Sequence, residues 1–94
     1  MDLKKGDVLS INNQDYIVIE CLNYNYETYI FTNQLINEEE VSENHYIFKI
    51  TNDNAIVITD ENLINILLDK FKDLINQDLN YFLDKNIGSD NNGY

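Results

Sequence analysis

Four glutamates lie close together in the middle of the chain: Glu38, Glu39, Glu40 and Glu43. No lysine or arginine occurs between Lys5 and Lys49, so nothing nearby in sequence neutralises them. A run of carboxylates can imitate phosphate spacing and be attracted to a basic groove on another protein. It can equally be a solvated loop whose charges repel one another. The calcium-loop spacing with its glycine is absent, which argues against a Ca²⁺ site.

The residues that most often perform catalysis are scarce. His45 is the single histidine and Cys21 the single cysteine, and neither has a partner nearby in sequence for general-base, nucleophilic or metal chemistry. Strand alternation turns Cys21 toward the core, where it is expected to act as a small apolar residue. The three glycines are isolated, so no phosphate-binding loop is present. The sequence therefore predicts no catalytic residue, no cofactor and no metal, and the protein is not expected to be an enzyme.

Seven tyrosines form the second notable group, and three of them are close together at Tyr24, Tyr26 and Tyr29. Aromatic residues in strands usually form core or cross-strand pairs. Tyr24 and Tyr26 fall in a predicted turn, however, where burial is harder to achieve. Because exposed tyrosines are frequent interface anchors, these two are a second candidate contact region.

The charge balance limits the class of partner. The 94 residues carry six basic and seventeen acidic side chains, a net charge of −11, and arginine is absent. Direct binding to DNA or RNA needs a basic face, and an anionic membrane surface would repel this chain. The expected partner is therefore a protein with a basic surface. No apolar run is long enough to cross a membrane and no signal peptide is apparent, so a cytoplasmic location is expected.

Five short segments have the residue pattern of β-strands. They are residues 7–11, 16–22, 27–33, 45–51 and 55–58. Asn12-Asn13 suits a tight hairpin because asparagine tolerates positive φ, and the acidic stretch 37–44 predicts a loop. The short connections favour an antiparallel meander.

Residues 59–86 predict one long helix. Its apolar residues recur at spacings of three and four, at Ile64, Leu67, Leu68, Phe71, Leu74, Ile75, Leu79 and Phe82. Asp69 and Asp73 fall on the other side, where they would add to the acidic contact surface. A helix of this length, about 42 Å, exceeds the width of so small a domain. Either the helix breaks near Gln77-Asp78, or a partner such as a second copy covers its apolar end.

That apolar end contains the candidate self-association residues Leu79, Phe82 and Leu83. The predicted fold is α+β, an antiparallel β-meander of about five strands packed against one long C-terminal helix. Residues 1–86 form a single domain and residues 87–94 a polar tail. One sheet face should hold Ile17, Ile19 and Cys21 together with Phe48 and Ile50, and the helix should cover that face.

A family resemblance rests on the order of four segments. They are Tyr16-Ile-Val-Ile-Glu-Cys-Leu-Asn-Tyr24, Tyr29-Ile-Phe31, Tyr46-Ile-Phe-Lys-Ile50 and Ile58-Thr-Asp-Glu61, the last leading into an apolar helix. Over residues 6–75 this order resembles small acidic bacterial proteins grouped as domains of unknown function. The resemblance implies a strand meander closed by a helix and carries over no catalytic residue. In composition, the chain is similar to DNA-mimic inhibitors encoded by phages and mobile elements.

Three functional hypotheses stay open from the sequence. The first is an acidic interaction module that occludes a basic nucleic-acid-binding surface through Glu38, Glu39, Glu40 and Glu43, with Asp69 and Asp73. The second is a small-ligand binding or sequestering protein with a tyrosine-edged pocket between sheet and helix. The third is an acidic adaptor whose charge serves only solubility.

Overall fold

The computed structural model describes residues 2–87, and the side chains of residues 2–79. Its elements in chain order are β1 (Val8–Ile11), β2 (Gln14–Tyr24), β3 (Glu27–Asn37), β4 (Glu40–Ile50), β5 (Ala55–Val57) and α1 (Glu61–Ile87). Each strand pairs antiparallel with the next, so the sheet order is β1-β2-β3-β4-β5. The predicted α+β class and five-strand meander are confirmed.

Two of the hairpin turns are built from residues in the left-handed region. Asn12 and Asn13 join β1 to β2 with φ of 51° and 66°, as the two asparagines predict. Asn25 and Tyr26 join β2 to β3 with φ of 50° and 64°. Positive φ at both central residues is the primed turn that suits the twist of paired strands. A tyrosine in this conformation is uncommon, because its Cβ is crowded by the backbone.

A bulge in β2 changes which residues share a face. Val18 pairs with Thr32 and Glu20 pairs with Phe31, which leaves Ile19 as an extra residue. The alternation is therefore shifted by one across Ile19. The predicted grouping of Ile17 with Cys21 on one face is wrong for this reason.

Apolar clusters lie on both faces of the sheet. The first is centred on Leu9, Val18, Ile30, Phe48 and Ile50, with Cys21 packed against it. It joins β1 to β4 because the sheet curls around it. The second contains Tyr29 and Ile47 of the sheet and Leu67 and Phe71 of the helix. The helix thus covers the face of Tyr29 and Ile47, whereas it was expected to cover that of Phe48 and Ile50.

The helix begins at Glu61, two residues later than the predicted start at residue 59. Asp60 is the cap, since its Oδ1 accepts hydrogen bonds from the main-chain N–H of Asn62 (2.9 Å) and Leu63 (3.3 Å). Glu61 adds a carboxylate to the first turn, where the helix dipole favours negative charge.

The helix continues through Gln77 and Asp78 to Ile87, so the predicted break there is absent. The described residues have a radius of gyration of 15.6 Å, above the roughly 12 Å of a compact chain of this length. Leu79 is 51% exposed. The side chains of Phe82 and Leu83 lie outside the described part of the chain, so self-association through these three residues stays a prediction. No helix among the described residues has the length and hydropathy needed to cross a bilayer.

Replacing the buried ring that joins helix to sheet should destabilise the fold strongly. Phe71 is 1% exposed, so Phe71→Ala should lower the free energy of unfolding by about 3–5 kcal/mol. Ile66→Ala is the control, because Ile66 is exposed on the same helix and should cost less than about 1 kcal/mol. Urea denaturation of both variants measures the difference. Equal losses would contradict the position of the core described above.

Candidate functional site

The four central glutamates lie at the free end of a long hairpin. Residues 37–44 are not a loop as predicted: β3 runs to Asn37, β4 starts at Glu40, and only Glu38 and Glu39 form the turn. All four glutamate side chains are exposed. We call Glu38, Glu39, Glu40 and Glu43 the acidic hairpin end. Its charges therefore lie at the end of two paired strands.

Neutral side chains hold the acidic hairpin end in shape. Asn33 Nδ2 donates to the carbonyl oxygens of Ser42 (2.8 Å) and Asn44 (2.9 Å), bridging β3 to β4. Asn37 accepts from the Glu39 main-chain N–H at 2.9 Å through its Oδ1.

Two further amide contacts support the same hairpin. Gln14 Nε2 donates to the Leu35 carbonyl at 2.8 Å, and Asn44 Nδ2 donates to Gln34 Oε1 at 3.1 Å. Amides satisfy main-chain and side-chain groups without adding charge. The hairpin is therefore braced and its negative charge is preserved.

No cation pairs with the acidic hairpin end within the part of the chain whose side chains are described. The ion pairs there are those of Lys5 with Glu20 and with Asp78. The acids that take part in ion pairs thus lie elsewhere in the fold. The negative charges of the acidic hairpin end are therefore available to interact with other molecules.

Asp69 and Asp73 do not join the acidic hairpin end. Both are exposed, and the helical period places them opposite Leu67 and Phe71, on the side of the helix facing away from the sheet. The structure therefore does not combine the six predicted acidic contact residues into one patch. The helix aspartates form a second, separate acidic surface.

The two tyrosines of the second candidate region are also separated. Tyr24 is half-buried against the helix-side cluster, with Lys70 Nζ 4.9 Å from its ring centroid, a cation–π geometry. Tyr26 is fully exposed in the β2–β3 turn. That turn lies at the opposite end of β3 from the acidic hairpin end, about 30 Å away along an extended strand of this length. Of the two, Tyr26 alone is free to act as an anchor.

An apolar groove lies between the sheet and one flank of the helix. It consists of two adjoining cavities of about 370 and 220 Å³ that share Phe31 and Leu68. The His45 ring stacks on Phe31, with centroids 5.2 Å apart and planes within 5°. A pocket between sheet and helix was predicted, but tyrosine contributes only Tyr46 to its lining. The spacing of apolar residues in the helix had already identified Leu68. The Phe31–His45 contact could not be predicted in this way, because it depends on the register between β3 and β4.

A cavity of about 640 Å³ lies at the β2–β3 turn and is lined mainly by polar groups, with Tyr26 among its lining residues. Cys21 also contributes to it. Burial raises the pKa of the Cys21 thiol, and its Sγ donates a weak hydrogen bond to the Leu3 carbonyl at 3.6 Å. Both features favour the neutral thiol.

One buried carboxylate was not singled out by the sequence. Glu20 is 4% exposed beside the β2 bulge, where its Oε1 accepts the Cys21 main-chain N–H at 3.1 Å. Its Oε2 lies 3.1 Å from Lys5 Nζ, and Lys5 also contacts Asp78 on the helix. The pKa of Lys5 is raised, mainly by its hydrogen bond to Asp78 and next by its hydrogen bond to Glu20. The contact with Lys5, and then with Glu20, lowers the pKa of Asp78. We call these three residues the Lys5 bridge.

The Lys5 bridge ties the N-terminal segment, β2 and the helix together. Cys21 lies next to it, since the Cys21 main-chain N–H donates to Glu20 Oε1 and both Glu20 and Lys5 act electrostatically on the Cys21 thiol. Across the described residues, no group of three or more His, Cys, Asp or Glu side chains could hold a metal ion. The site therefore offers surfaces for contact: the acidic hairpin end, the groove and Tyr26.

No protein-family model matches this chain, and searches against curated proteins and solved structures give no match either. The resemblance to small acidic bacterial proteins stays a prediction. A function for the chain must therefore be argued from its own residues.

Because of the Lys5 bridge, the free energy of unfolding should depend on pH in the acid range. Because the pKa of Asp78 is lowered on folding, its ionised form stabilises the fold above the ordinary carboxyl pKa of about 4, and that contribution is lost as pH falls through the folded value. Asp78→Asn should lower the free energy of unfolding at neutral pH and flatten its decline in acid. Asp73→Asn carries the same charge change on the outer side of the helix and is the control. Urea denaturation at neutral and acid pH tests this, and parallel curves for the two variants would contradict it.

The left-handed backbone conformation of Tyr26 should lower the stability of the fold. Tyr26→Gly removes the strain of φ +64° and loses no buried contact, so it should raise the free energy of unfolding by about 0.5–1 kcal/mol. Tyr26→Ala keeps a Cβ at the same φ and should give no such gain. Thermal or urea unfolding measures both. If alanine stabilised as much as glycine, the strain would not be the cause.

Proposed function

We propose that this chain is a small acidic protein-interaction module whose acidic hairpin end occupies a basic surface on a partner protein. The role that suits it best is inhibition of a nucleic-acid-handling protein by occlusion, as a DNA mimic acts. One observation carries the proposal: four exposed glutamates are held at the end of two strands by neutral amides, with no cation paired to them among the described side chains.

The mechanism is electrostatic and steric. A net charge of −11 draws the chain toward a basic surface and speeds encounter at low salt. The hairpin is two strands wide, about 5 Å between strands before side chains are added, so it can enter a groove that accepts nucleic acid. Asp69 and Asp73 contribute to the long-range field from their separate surface. No direct nucleic-acid contact is expected, and a cytoplasmic location is proposed with it.

A second candidate function is favoured by the groove between sheet and helix. Its apolar lining suits a small neutral or cationic ligand, with the Phe31–His45 pair at its floor. Such a ligand would raise the melting temperature independently of salt. Occlusion of a basic surface would instead weaken steeply as salt is added.

The first candidate is tested by removing charge at the hairpin end without changing side-chain size. Glu→Gln at all four positions takes the net charge from −11 to −7 (−11 + 4). A control variant neutralises four other exposed acids, Asp2, Glu27, Asp53 and Glu61, and has the same net charge. The measurement is capture of basic, DNA-binding proteins from a lysate fraction by each immobilised chain, with duplex DNA added as competitor.

The hairpin variant should lose at least about tenfold of this capture, the control much less, and duplex DNA should release what the wild-type chain holds. Equal capture by both variants would assign the effect to net charge alone. Capture that survives high salt and added DNA would contradict occlusion.

A further inference from the structure

β4 has an open edge over half its length. β5 is only three residues long and pairs with Phe48, Lys49 and Ile50. Residues 40–46 of β4 therefore have β3 on one side and no strand on the other in the part of the chain described. An open edge presents unpaired main-chain donors and acceptors to a further strand.

The direction of the main-chain groups along this edge follows from one hydrogen bond. The Ile58 N–H donates to the Ile47 carbonyl at 2.8 Å, so the main chain of Ile47 faces the β5 side. Facing alternates along a regular strand, so His45, two residues before Ile47, also points its N–H and C=O groups to the open side. The pairing of β4 with β3 is irregular between Val41 and His45, and there the direction of Glu43 is taken as opposite to that of its neighbours' carbonyls. The carbonyls of Ser42 and Asn44 point the other way, since both accept from the Asn33 side chain on β3.

An apolar cavity lies at the base of this edge. The 370 Å³ part of the groove is lined by His45, Tyr46 and Ile47 of β4, where β5 ends and the helix begins. Val57 and Leu68 at its border are exposed. A strand added beside His45 would place a side chain at this cavity and continue toward the acidic hairpin end.

We propose that the β4 edge from Glu43 to His45, just before the residue that Ile58 already pairs with, binds an extended segment of a partner protein by strand addition. The segment carries one apolar residue for the cavity and lysine or arginine residues that lie beside Glu43 and the hairpin turn. This inference rests on the proposed function and names the partner's chemistry. Main-chain hydrogen bonds supply affinity in this mode, and the side-chain positions supply specificity.

Charge selects a basic segment over a second copy of this chain. Antiparallel pairing of two β4 edges would bring Glu43 of one copy close to Glu43 of the other, and like charges on adjacent strands are destabilising. Each copy also carries a net charge of −11. A basic segment instead meets four uncompensated glutamates.

The test uses a short blocked peptide in which lysine and valine alternate, with isoleucine at both ends so that either strand direction reaches the cavity. Two control peptides of the same sequence are N-methylated, one at the odd residues and one at the even residues. Each control removes the donors from one edge of the peptide and keeps its charge. Binding is measured by titration, and amide exchange is followed at Glu43 and His45.

The unmodified peptide should bind and slow amide exchange at Glu43 and His45 by at least about tenfold. One N-methylated peptide should bind at least about tenfold more weakly than the other. In the protein, His45→Pro and His45→Ala both remove the imidazole from the cavity lining, but only His45→Pro also removes the edge N–H. The proline variant should therefore bind the peptide more weakly than the alanine variant.

Equal binding of both N-methylated peptides, without slowed exchange, would overturn strand addition and leave occlusion by charge intact. No binding by any peptide at low salt, together with no hairpin effect in the capture experiment, would overturn the proposed function as well. The oligomeric state of the free chain is also measured. A wild-type dimer that becomes a monomer in the His45→Pro variant would show that the β4 edge pairs with a second copy, and would overturn the basic segment as its occupant.

Discussion

Within residues 2–87, a five-stranded sheet has apolar residues on both faces and one helix to cover them. Much of the structure follows from that constraint. Leu67 and Phe71 bury one face over Tyr29 and Ile47. The other face is buried because the sheet curls, which brings Leu9 of β1 into the same cluster as Ile50 of β4. Curling needs strong local twist, and the bulge at Ile19 supplies it in β2. The helix crosses only part of its face, so a groove is left beside it.

The acidic side chains divide into two groups that do different work. Glu20 and Asp78 share Lys5 and connect three elements of the fold. The glutamates of the acidic hairpin end are supported by amide groups and stay uncompensated. The amide contacts leave the exposed glutamates charged, whereas the buried Glu20 has a lysine beside it. The proposed contact surface relies on this difference.

Much of the fold could be predicted from the sequence, and less of the site. Period-two and helical patterns located every strand and the helix, because burial on one face sets those periods. The acidic character of residues 37–44 suggested a loop, yet strand pairing continues there because asparagine side chains replace part of the ladder. The bulge at Ile19 has no sequence signal, so the burial of Glu20 was not foreseen. The groove and the open β4 edge depend on the length of β5. That length is set by how many of its residues pair with β4, which the sequence pattern does not show.

The meander and the Lys5 bridge differ in how far apart in sequence their contacts are. Every strand pairs with its immediate neighbour in sequence, so each hairpin closes a short loop at low entropic cost. The contact of Lys5 with Asp78 spans 73 positions and joins the beginning of the chain to the helix. Closing so long a loop is costly in the unfolded chain, and pairing of the intervening strands shortens the distance between its ends. The two ends of the bridge stay apart in any species that has folded the sheet without docking the helix.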